Sequence, residues 1–171
     1  CNTSMYLGVS AVDIWGNEGL LTEVSGTTGT DTLSPKIKSV QPTDGSRLSN
    51  RYVALKAVGT DNGILSKFEF ESSSDLGKTW TKAGVADAVY DLATYEFKGQ
   101  TLWSNDSVSG KFFFRITALD KEGNKSEAIT FGITLDYIAP SAPENISVSA
   151  AKGFNTISWK AVDTDDVSRY R

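Results

Sequence analysis

Histidine is absent from the 171 residues. That removes histidine general bases, Ser-His-Asp triads and every zinc site with a histidine ligand. A single cysteine, Cys1, excludes internal disulfides and cysteine-rich metal sites. No apolar run approaches the roughly 20 residues a membrane-spanning helix needs. There is no basic run, and 17 Lys plus Arg against 21 Asp plus Glu leave a net charge of −4, which argues against binding nucleic acid or inserting into a membrane. No segment carries the 3.6-residue apolar stripe of an amphipathic helix. Only four prolines punctuate the chain, and two of them, Pro35 and Pro140, fall in connectors described below.

What is present is alternation. Val53, Leu55 and Ala57 share one parity, as do Phe68 with Phe70, Tyr95 with Phe97, Phe112 through Ala118, and Ile129 through Leu135. Period two places one face in a core and one in water. About seven such strands in about 100 residues predict an all-β, antiparallel sandwich.

The chain also repeats itself. Val9-Ser10-Ala11-Val12-Asp13-Ile14-Trp15-Gly16-Asn17 aligns with Ile116-Thr117-Ala118-Leu119-Asp120-Lys121-Glu122-Gly123-Asn124 at a constant offset of 107 residues. Each copy is a strand running into a turn, with Asp and Asn bonding their own backbone and Gly supplying positive φ. Each is followed by a connector with proline, Asp31 to Pro35 and Asp136 to Pro140, and then by a new strand. A period this long is a domain repeat. The expected organisation is the C-terminal hairpin of one domain (1–28), a complete immunoglobulin-like sandwich (33–137) and the first strands of another domain (141–171). The chain opens on Cys1 and is read as a piece of a longer polypeptide.

The Val-x-Ala-x-Asp strand meeting Gly16-Asn17 resembles the last two strands of a bacterial fibronectin type III domain. Pro140-Ser141-Ala142-Pro143, Ile146, Val148, Ile157-Ser158-Trp159 and Val167-Ser168-Arg169-Tyr170 resemble the first three strands of another. The resemblance implies that Trp159 is a core tryptophan. Leu7 and Phe114 stand where the family carries its corner tyrosine, so that hydrogen bond is not expected. The 33–137 segment resembles a bacterial immunoglobulin-like relative. The implied setting is a large secreted or cell-surface protein, in which such domains act as non-catalytic structural spacers or interaction modules with neighbouring domains of the same chain as partners. The alternative is a carbohydrate- or protein-binding accessory module of a polysaccharide-degrading enzyme, an adhesin or a toxin-like protein, with a glycan or cell-surface protein as partner.

Ser73-Ser74-Asp75-Leu76-Gly77-Lys78-Thr79-Trp80 matches the Asp-box pattern of sialidase propellers. A single copy reads as a turn staple: Asp75 accepts backbone hydrogens, Gly77 takes positive φ and Trp80 folds back. Asp13, Asp44, Asp61, Asp75 and Asp120 all sit in turn signals and are expected to be solvated. No catalytic, cofactor-binding or metal residue is assigned. Calcium is the metal that oxygen-rich loops suit best. Two groups are worth following: Asp136 with Asp163, Asp165 and Asp166, expected to splay into water, and Asp31 with Asp61, Asn62 and Asp120 at one end of the middle domain. Trp15 and Trp103 are expected in or near loops, where exposed aromatics stack on sugars or pack at domain junctions.

Overall fold

The computed structural model describes residues 3–105, 109–162 and 167–171, and every regular element in them is a strand. In chain order these are β1 (Ser4–Val9), β2 (Thr22–Thr27), β3 (Lys36–Gln41), β4 (Ser46–Leu48), β5 (Tyr52–Thr60), β6 (Leu65–Ser73), β7 (Thr81–Asp87), β8 (Val89–Asp91), β9 (Glu96–Ser104), β10 (Gly110–Asp120), β11 (Ile129–Leu135), β12 (Glu144–Ala151) and β13 (Phe154–Lys160).

Strands β3 to β11 form a sandwich of two sheets, ordered β4-β11-β10-β6-β7 and β3-β5-β9-β8. This is the immunoglobulin-like arrangement: the first strand pairs in one sheet, and the chain then crosses to the edge of the other. All pairings are antiparallel except β4 with β11, which is parallel. The sequence predicts about seven strands here. The two additional ones, β4 and β8, span three residues each, too few to show a period.

One core cluster joins the two inner faces. Val53, Leu55 and Ala57 from one sheet meet Phe68, Phe70, Phe112, Phe114, Ile116, Phe131, Ile133 and Leu135 from the other. The expected inward rows are the observed ones, because each strand has a single apolar parity. Two aromatics depart from expectation. Trp103, expected in or near a loop, is the last but one residue of β9, and its ring packs inward, edge-on to Phe112 at 5.2 Å and to Phe114 at 5.0 Å. Its parity in β9 points it at the core, while the following Ser104 and Asn105 only end the strand. Tyr95 does not share a face with Phe97: it sits before β9 at φ 56° and is exposed, whereas Phe97 is buried. A tyrosine tie does exist, supplied from an unexpected place, since the Tyr137 hydroxyl donates to the carbonyl of Asn105 at 3.1 Å.

The flanking elements are hairpins. In β1–β2, Leu7 faces Val24 and Val9 faces Thr22; in β10–β11, Phe114 faces Phe131 and Ile116 faces Ile129. The register is therefore the same at the offset of 107. The difference is burial: Leu7 and Val24 are exposed, Phe114 and Phe131 are in the core. In β12–β13, Val148 faces Ile157 across a turn at Gly153. No strand is formed at Val167–Tyr170, where a third was expected. Instead the Tyr170 ring sits 5.2 Å from Trp159 and its hydroxyl accepts the Val162 N–H at 2.8 Å.

Candidate metal centre

The repeated Asp-x-x-Gly-Asn turn is built on the same Asn-to-Asp bonds twice. The backbone N–H of Asn17 donates to Asp13 Oδ1 at 2.9 Å and its side-chain amide to Oδ2 at 2.9 Å. Asn124 does the same to Asp120, both at 2.7 Å. Gly16 and Gly123 take φ of 86° and 94°, which is why glycine stands there. Asp13 is exposed and held below the usual carboxylate range by these Asn17 bonds. Asp120, by contrast, is 4% exposed, so the expectation of a solvated turn carboxylate does not hold for it.

The surroundings of Asp120 explain its burial. The Asn124 amide also reaches the entry segment, donating to the carbonyl of Asp31 at 3.1 Å. Asp31 Oδ1 accepts the Leu33 N–H at 2.9 Å, and Asp61, just past β5, accepts the Gly63 N–H through Oδ2 at 3.2 Å. The entry segment and the β5–β6 turn thereby bring carboxylate oxygens of Asp31, Asp61 and Asp120 within 4.8 Å of one another. Asp31 Oδ2 and Asp61 Oδ1 each expose less than 1 Å² and accept no hydrogen bond. Gly63 allows the approach, since a Cβ there would lie 2.6 Å from Asp31 Oδ2.

The electrostatics follow from the geometry. Burial, opposed in part by the Gly63 N–H, pushes the Asp61 carboxyl up, and the charges of Asp31 and Asp120 push it further. The Leu33 N–H and the Asn62 side chain hold Asp31 low. Of the four residues grouped from the sequence at this end, three thus converge, and Asn62 contributes as a donor to Asp31. Asn124 and Gly63 were not singled out as parts of a site. The signal for Asn124 was its place in the repeat, and nothing local marked Gly63. In the other group, the Asp136 N–H bonds the Leu48 carbonyl at 2.8 Å, and Asp163, Asp165 and Asp166 lie outside the described residues.

The remaining candidates resolve differently. Ser73 Oγ donates to Asp75 Oδ1 at 2.7 Å and accepts the Gly77 N–H at 2.9 Å, while the Thr79 N–H and hydroxyl donate to Asp75 at 2.9 and 2.7 Å. These donors, the Thr79 hydroxyl foremost, hold Asp75 at about 2 against an ordinary 3.8. Trp80 lies near Gly77, with Arg115 stacked 4.6 Å over its ring. Both carboxylate oxygens of Asp75 are thus engaged within its own turn. Trp15 stands alone at a hairpin tip, 83% exposed.

Neither a protein-family model nor a curated protein sequence matches the chain. Among solved structures, a mutant of the SrpA adhesin from Streptococcus sanguinis is 20% identical with a TM-score of 0.40, the match covering 67% of this chain and 65% of that one. Murine CRIg is 10% identical with a TM-score of 0.32 over 59% of this chain and 95% of its own. Likenesses this weak bear on neither function nor partner. The immunoglobulin-like sandwich stands on the strand order itself.

Proposed function

We propose that the chain is a stretch of a tandem array of β-sandwiches, serving as a non-catalytic structural spacer or interaction module of a large bacterial secreted or cell-surface protein. The observation that carries this reading is the repeated hairpin. At an offset of 107 residues, β1–β2 and β10–β11 share register, turn bonds and apolar parity, yet Leu7 and Val24 face solvent where Phe114 and Phe131 face a second sheet. An isolated two-stranded hairpin is at best marginally stable. The economical account is that β1–β2 closes a sandwich of its own, whose second sheet is supplied by preceding residues, and that β12–β13 opens the next. Residues 1–28, 33–137 and 141–171 are then successive units joined by short connectors with proline.

Amide hydrogen exchange on the 171-residue chain tests this. Leu7 and Val24 should exchange orders of magnitude faster than their equivalents Phe114 and Phe131, and slow when the flanking residues of the parent chain are restored. Equal protection of the two hairpins in the 171-residue chain would overturn the array.

A further inference from the structure

We infer that Asp31, Asp61 and Asp120 bind one calcium ion, clamping the entry segment onto the end of the sandwich. An acidic cluster alone would not carry this. Here two carboxylate oxygens, Asp31 Oδ2 and Asp61 Oδ1, are sealed from solvent to less than 1 Å² each and accept no hydrogen bond, and the third carboxylate belongs to a residue only 4% exposed. Buried carboxylate oxygens ordinarily take donors from protein or water, and lone pairs left without either are costly. Among the described residues no lysine or arginine forms an ion pair with any of the three. A divalent cation would take up the lone pairs that no described lysine or arginine reaches.

The three carboxylate oxygens all lie within 4.8 Å of one another, so one cation can be shared among them, and calcium accepts irregular oxygen geometry more readily than magnesium, which demands a near-ideal octahedron. All-oxygen donors with no histidine or cysteine suit a hard cation and disfavour zinc or copper. Asn124 orients both sides, holding Asp120 through its backbone and amide and the Asp31 carbonyl through the same amide. Gly63 leaves the space against Asp31 clear. Asp31 precedes the first strand of the sandwich, so an ion here ties the connector to the domain it enters. That mechanical consequence rests on the spacer reading, whereas the binding does not.

The experiment is thermal melting of the 171-residue chain in chelator and in millimolar calcium, magnesium or sodium chloride at matched ionic strength, with Asp61→Asn and Asp31→Asn alongside. Calcium should raise the melting temperature of the wild type by several degrees, and magnesium by less. Asp61→Asn, which relieves the repulsion while keeping the shape, should melt at or above wild type in chelator and lose the calcium rise. Asp31→Asn should lose it as well. A wild type that does not respond to calcium, or a rise undiminished in both variants, overturns the site. The hydrogen-exchange comparison of the hairpins is untouched by either result, so the ion and the array can fail separately.

Discussion

At the scale of single residues, donors and volumes decide what each position tolerates. Asp75 is the focus of three donors within one turn, and its folded value of about 2 lies below the ordinary 3.8. A carboxyl depressed on folding stabilises the fold above its unfolded value and loses that contribution as pH falls through the folded one. Asp75→Ala should therefore lower the melting temperature by a few degrees at pH 6. The gap between wild type and variant should narrow from about pH 4 down to about pH 2, which melting curves across that range would check. Gly99 is set by volume: a Cβ there would lie 2.5 Å from Cδ2 of the fully buried Phe68 and 3.3 Å from Ala86. Gly99→Ala should cost about 1–3 kcal/mol in urea denaturation, as overpacking of a core that cannot retreat.

Among the strands, legibility followed length and parity. Phe112, Phe114, Ile116 and Ala118 announce β10 because four apolar residues alternate with polar or outward ones over a long strand. In β4 and β8 there is no room for alternation, and their pairing is set by neighbours far along the chain. Trp103 reads as loop-adjacent because the polar run after it dominates the local pattern, while the inward parity of β9 governs its ring. Its position gives a sharp expectation. Trp103→Ala should destabilise the sandwich by about 3 kcal/mol, measured by equilibrium unfolding, as loss of a packed aromatic. A variant of full stability would contradict the packing seen against Phe112 and Phe114. The carboxylate cluster was legible only as a grouping at one end. The turn motifs of Asp61 and Asp120 read locally as exposed, and their burial arises where the β5–β6 turn, the end of β10 and the entry segment meet.

For the whole molecule, the sandwich is a closed unit with a chain entering through Asp31 and leaving past Leu135. Its two terminal elements on the larger sheet, β4 and β11, run parallel, with Ser46, Arg47 and Leu48 beside Ile133, Thr134 and Leu135. The Gly45 N–H adds a bond to the Gly132 carbonyl and the Asp136 N–H one to Leu48, both at 2.8 Å. Parallel strands that come first and last in one sheet have a consequence under tension. Once load from the termini has passed through β3 to β4, it drives β4 and β11 past each other along their length, so their ladder bonds are strained together and must rupture together. Antiparallel strands pulled from one open end would instead unzip a bond at a time. Stretched in single-molecule force spectroscopy from residues 33 and 137, the unit should hold and then give way in one abrupt step. The same unit pulled across the β6–β7 hairpin, whose strands separate pair by pair, should open at markedly lower force.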